Sequence, residues 1–264
     1  MTIHTLIFDL DDTLLWDEKS IQTAFDQTIA VATNKYPQLS AYELEQAVRE
    51  EARELYQSFP FFKHTVAIGI NPFEGLWGTF DDPGESFQLM KELIPTYQKE
   101  AWRKGLLRCG IEDDDLSQTL STQFIEERLN APFCYEDTLN VLDTLSKDFQ
   151  LFLLTNGSPS LQQTKLELTP SLIPYFKEVF ISGEIGFGKP DAKIFQHVLD
   201  KQQLQPENCL MIGDNLLTDI LGASRVGMDS IWINRKGTIP TTEVTPTYEV
   251  TSLSEIIAVL QRIN

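Results

Sequence analysis

Five short apolar runs constrain the fold of this chain more than any other feature. They lie at residues 5–10, 149–155, 178–182, 209–213 and 230–234, with a candidate sixth at 247–250. Each is apolar along its length with little alternation, the pattern of a strand buried on both faces. Helical patterns over 136–147, 159–168, 191–202, 216–226 and 252–262 separate or follow them. Strands alternating with helices predict an α/β fold with a doubly wound, Rossmann-like parallel sheet. In such sheets ligands bind in the crevice beyond the carboxyl ends of the strands.

Residues 17–132 interrupt the alternation. They carry helical patterns near 18–34, 41–57, 86–108 and 115–130, and no strand pattern. Ser40 with Glu43 is a helix-start signature for the second. Pro95 is expected to break or kink the third. Residues 58–85 read as a loop-like stretch rich in glycine, proline and aromatics (Phe59, Phe61, Phe62, Phe73, Trp77 and Phe80), most of which are expected to form the insert's own core. The expected organisation is a core of 1–16 and 133–264 around an all-helical insert of 17–132. A length of 264 residues suits two such units.

The charge balance narrows the partners. With 21 basic and 39 acidic residues the chain carries −18, the wrong sign for binding nucleic acid or an anionic membrane surface. The acid excess is shared, since the insert holds 20 acidic and 11 basic residues. Cys109, Cys134 and Cys209 stand far apart, as in a chain of reduced thiols. His4, His64 and His197 lack metal-ligand spacing. The first residues show no basic stretch leading into an apolar one, and no run approaches a membrane span. The expected location is the cytoplasm.

Four constellations sit where strands should end. Asp9-Leu10-Asp11-Asp12-Thr13 closes the first run. On an extended strand Asp9 and Asp11 point the same way, and two neighbouring carboxylates call for a cation or a shared proton. Gly213-Asp214 closes the fourth run, with Asp219 further on. Alone, Asp214 reads as a helix N-cap; with Asp9 and Asp11 it reads better as part of a Mg²⁺ site. Thr155-Asn156-Gly157-Ser158 offers a hydroxyl and backbone N–H groups to an anion. Lys189, held extended by Pro190, supplies a fixed positive charge.

These four pieces, in this order, resemble the haloacid dehalogenase superfamily. Asp9-x-Asp11-x-Thr13 is similar to its first motif, Thr155 to its second, Lys189 to its third, and Gly213-Asp214 with Asp219 to its fourth; the insert resembles its helical C1 cap. The resemblance implies a Mg²⁺-dependent phosphatase that hydrolyses a small phosphorylated metabolite through an aspartyl-phosphate. Asp9 is implied as nucleophile and metal ligand. Asp11 is implied as acid, then base, with its carbonyl on the metal. Thr155, Asn156 and Lys189 are implied on the phosphoryl oxygens, Asp214 on the metal, and Asp219 in support. Asp12 stands where the commonest pattern has glycine. Asp11 counts against dehalogenation, and the insert's lysines sit in ordinary polar contexts that do not suggest phosphonate cleavage. A sugar-phosphate mutase shares all four motifs, and an idle binding or regulatory protein of the same fold is the alternative from another class. The wording around Thr155 and Trp232 looks most like the acylneuraminate-9-phosphate phosphatase and pyrimidine nucleotidase subgroup. Trp16 and Asp17, just past the first motif, are the candidates for specificity.

Overall fold

The computed structural model describes residues 2–240 and 243–263. In chain order its elements are β1 (Thr5–Phe8), α1 (Asp17–Lys35), α2 (Ala41–Ser58), α3 (Phe62–Ile68), α4 (Pro72–Gly75), α5 (Glu85–Arg108), α6 (Asp114–Asn130), α7 (Thr138–Leu145), β2 (Gln150–Thr155), α8 (Pro159–Leu168), β3 (Glu178–Ile181), α9 (Ser182–Ile185), α10 (Ala192–Gln202), β4 (Cys209–Gly213), α11 (Leu221–Arg225), β5 (Asp229–Ile233), β6 (Tyr248–Val250) and α12 (Glu255–Ile263). They fall into two compact units, Met1–Trp16 with Cys134–Asn264, and Asp17–Phe133. The second seam lies one residue past the expected 132. Phe133 stays with the helices because its N–H reaches Ser20 Oγ at 3.4 Å and Lys19 Nζ lies 4.5 Å from its ring.

The six strands of the first unit form one parallel sheet in the order β3-β2-β1-β4-β5-β6. Successive residues go to opposite faces, and both faces are packed. Leu6, Phe8, Leu153, Leu210 and Ile212 meet Val141 and Leu142 of α7 and Ile256 and Leu260 of α12. Ile7, Phe152, Leu154 and Met211 meet Ile194, Phe195 and Val198 of α10. That two-sided burial is why the runs show no alternation. The order reverses between β1 and β4, so the crevice between the chains leaving these two strands is the expected ligand site.

Among its described residues the second unit holds helices joined by turns and loops, and no strand. Phe25, Trp102 and Phe124 pack ring to ring, with centroids 4.8–5.8 Å apart. Two expectations change here. α5 runs unbroken through Pro95; burial of Ile94, Tyr97, Ala101 and Trp102 around the proline outweighs the lost backbone bond. The 58–85 stretch holds α3 and α4, the first ended by left-handed Gly69 and the second started by an Asn71–Glu74 capping box. Phe61, Trp77 and Phe80 are buried within this unit.

Candidate active site

The site is built at the reversal point from the ends of three neighbouring strands. Asp9 follows β1, and its N–H donates to Ile212 O at 2.9 Å, which continues the β1–β4 ladder by one rung. Asp214 follows β4 on the other side of that rung. Thr155 ends β2. Lys189 arrives from the loop after α9. Its Nζ lies 2.5 Å from Asp9 Oδ1, 2.7 Å from Asp219 Oδ1 and 2.8 Å from Leu154 O. Asn156 fixes the main chain of Lys189, donating to its carbonyl at 2.9 Å and accepting from its N–H at 2.8 Å. The Asn156 side chain is therefore committed to Lys189, and what remains for an anion at this residue is its backbone N–H.

Asp219 lies on a π-helical turn, Leu216–Ile220, a feature that recurs at functional sites. Its carboxylate accepts from Asn215 N at 3.1 Å and packs on the α-carbon of Gly213. A Cβ at position 213 would meet Asp219 Oδ2 at 2.3 Å, so only glycine fits. The capping role that Asp214 has on sequence grounds belongs to Asn215, which accepts from Leu217 N at 2.9 Å.

Asp9, Asp214 and Asp219 bring three carboxylate oxygens within 4.8 Å of one another. Their electrostatics are unbalanced. Burial pushes the Asp9 carboxyl up to about 7; Lys189 draws it down, while Asp219 and Asp11 add to the rise. Burial, with Asp9, Asp219 and Asp12, pushes Asp214 up to about 9. Burial works against the charge of Lys189, but Asp219 and Asp9 overcome it and hold its pKa above the usual lysine range. One ammonium thus serves three carboxylates. An all-oxygen, hard, charge-deficient donor set of this kind fits a divalent cation such as Mg²⁺.

Asp11 sits apart from that triad. Its side chain turns to α8, where Lys165 Nζ donates to Oδ2 at 2.8 Å and Gln162 Nε2 at 3.0 Å. Asp12 has φ 57°, the left-handed region, which is the physical reason glycine suits that place and why aspartate is admitted. Trp16 stacks on Tyr135 at 5.2 Å within the sheet unit, and Arg235 covers the Tyr135 ring at 3.6 Å. Asp17 is buried and ion-paired with Arg128 inside the helical unit. Gln162 and Lys165 escape a reading of the sequence. Their i, i+3 spacing places them on one helix face, but nothing local says that this face meets Asp11.

Residues 3–227 match the model of the haloacid dehalogenase-like hydrolases. The chain is 30% identical over 251 residues to a phosphoserine phosphatase of Thermus thermophilus, covering 95% of this chain and 96% of that one. It is 32% identical over 184 residues to the N-acylneuraminate-9-phosphatase of Mus musculus, covering 68% and 74%. Among solved structures, the HAD-hydrolase YfnB of Bacillus subtilis, bound to magnesium, superposes with a TM-score of 0.68 at 23% identity over 98% of this chain and 99% of that one. The chain belongs to the haloacid dehalogenase-like hydrolase family.

Proposed function

We propose that this chain is a Mg²⁺-dependent phosphatase that hydrolyses a small phosphorylated metabolite through an aspartyl-phosphate on Asp9. The observation that carries the reading is the meeting of Asp9, Lys189, Asp214 and Asp219 around one crevice, with Asp9 2.5 Å from Lys189. The phosphatase names of relatives along most of the chain support it. The reading extends to a cytoplasmic enzyme with free Cys109, Cys134 and Cys209; among the described residues no helix is long and apolar enough to cross a membrane.

Phosphoryl transfer asks for alignment and charge neutralisation. Lys189, pinned on both sides, orients Asp9 and balances charge on the phosphoryl oxygens. The Thr155 hydroxyl and the backbone N–H groups of 156–158 receive those oxygens. Asp9 attacks phosphorus while Asp11 gives a proton to the departing alkoxide. Asp11 then takes a proton from water as it attacks the phosphoenzyme, which releases inorganic phosphate and restores both carboxyls. Asp9, Asp214 and the carbonyl of Asp11 would hold Mg²⁺, with Asp219 in support. The cation supplies Lewis-acid charge neutralisation at the phosphoryl group. The helical unit acts as the cap, and substrate choice is assigned to it and to Trp16.

The test is turnover of p-nitrophenyl phosphate with Mg²⁺, wild type against Asp9→Asn, followed by a panel of phosphorylated metabolites. Asp9→Asn is expected to abolish turnover, and chelation to abolish both turnover and phosphate binding. Equal rates in the two proteins would sink the nucleophile assignment.

A further inference from the structure

Gln162 and Lys165 lie one turn apart on α8, the helix that begins directly after the Thr155–Ser158 loop, and the mechanism above uses neither. Both are polar, yet Lys165 is 3% and Gln162 0% exposed. A buried ammonium is costly unless an anion holds it; the anion here is Asp11. Gln162 Nε2 faces three acceptors: Asp11 Oδ2 at 3.0 Å, Asn156 O at 3.0 Å and Thr155 Oγ1 at 2.5 Å. The reverse amide orientation would set a carbonyl oxygen against a carboxylate and a main-chain carbonyl, so the nitrogen belongs there. Gly157 makes the approach feasible, since a Cβ there would meet Gln162 Cγ at 2.8 Å.

We infer that Gln162 and Lys165 are positioning residues that fix the Asp11 carboxylate and the Thr155 hydroxyl in one frame for phosphoryl transfer. The inference rests on the phosphatase reading above. Its logic is geometric. Two donors on one rigid helix face converge on Asp11 Oδ2, which sets the direction of the group that exchanges protons with the leaving alkoxide and with water. Gln162 donates to Thr155 Oγ1, so that hydroxyl must send its own hydrogen elsewhere. It goes to Asn156 O at 3.4 Å, a long contact that a phosphoryl oxygen replaces.

The test compares two esters of similar shape, phenyl phosphate and p-nitrophenyl phosphate, with Mg²⁺. Phenolate needs a proton on departure far more than nitrophenolate does. Misplacement of a reacting group by about 1 Å can cost about 10²-fold. Lys165→Met is accordingly expected to lower kcat/KM for phenyl phosphate about 10²-fold and for p-nitrophenyl phosphate less than about 10-fold. Lys165→Arg is expected to recover much of the loss. Gln162→Leu, which removes no charge, is expected to show the same inequality together with a raised KM for both esters, and serves if Lys165→Met does not fold. Equal losses on the two esters without recovery by arginine, or rates unchanged in both variants, would overturn the inference. Failure of the parent reading looks different: the wild type then turns over neither ester, or Asp9→Asn matches it.

Discussion

Replacing Gly213 with alanine puts one methyl group into the tightest approach of the site. The added Cβ would lie 2.3 Å from Asp219 Oδ2, 2.4 Å from Cγ and 2.6 Å from Cβ. Non-bonded carbon atoms settle about 3.5–4.0 Å apart, so the Asp219 side chain must withdraw by about 1 Å or more. Asp219 is held by Lys189 at 2.7 Å and Asn215 N at 3.1 Å, and a withdrawal of that size breaks both. Overpacking alone costs about 1–3 kcal/mol. Breaking a buried ion pair costs about 3–5 kcal/mol when one charge is stranded, here that of buried Asp219, which puts the sum at about 4 kcal/mol or more. At about 2–4 °C per kcal/mol, the sheet unit should melt at least about 8–16 °C lower by calorimetry. Turnover of p-nitrophenyl phosphate should fall about 10²-fold, because Lys189 loses one of the two carboxylates that aim it. Asp219→Asn acts through the same contact, so the double variant should cost clearly less than the two single losses combined. A melting temperature within about 1 °C of wild type, with turnover within about twofold, would refute the close-approach argument.

Two further outcomes concern the titration of the carboxylate cluster and the buried ion pair of the helical unit. Burial pushes the Asp9 and Asp214 carboxyls up to about 7 and 9 in the folded, metal-free site, well above the ordinary carboxylate range of an unfolded chain; the folded state therefore binds more protons across this range, and stability falls as pH rises from about 4 to 9. Melting curves without metal should show that decline and saturating Mg²⁺ should flatten it, whereas a metal-free melting temperature that climbs with pH would contradict the charge imbalance. In the helical unit, Arg128→Leu removes the buried guanidinium that pairs with Asp17 and should destabilise by up to about 3–5 kcal/mol, with Asp17→Asn added to it recovering part of the loss; a double variant less stable than the single one, read by chemical denaturation, would show that the pair is not the source.

Much of the site is legible in the sequence for a local reason. Asp9, Thr155 and Asp214 each end an apolar strand, and strand ends announce themselves through the run before them. Lys189 is legible through its proline and through the need of the carboxylates for a cation. What is not legible depends on partners far along the chain. Asp17, a candidate for specificity by its place after the first motif, is held by Arg128, 111 residues away. Gln162 and Lys165 reach Asp11 across 151 and 154 residues, and on sequence alone they pass for the solvated face of an ordinary helix. The helix through Pro95 is of the same kind, since its packing partners lie elsewhere and outweigh a local rule.

The sequence by itself determined the strand–helix alternation, the helical insert and the residue types that close each strand, because hydrophobic period and turn chemistry act over a few residues. Only the tertiary structure decided which ends become neighbours. The order β3-β2-β1-β4-β5-β6 places the ends of β2, β1 and β4 side by side, so residues from four separate stretches meet around Lys189. It also decided that Asp219 stands with Asp9 and Asp214 while Asp11 turns away to α8. The physical reason is that a carboxylate's neighbours are set by sheet order and helix docking, whose free energy comes from burial spread over the whole core and not from the polar residues that gather at the strand ends.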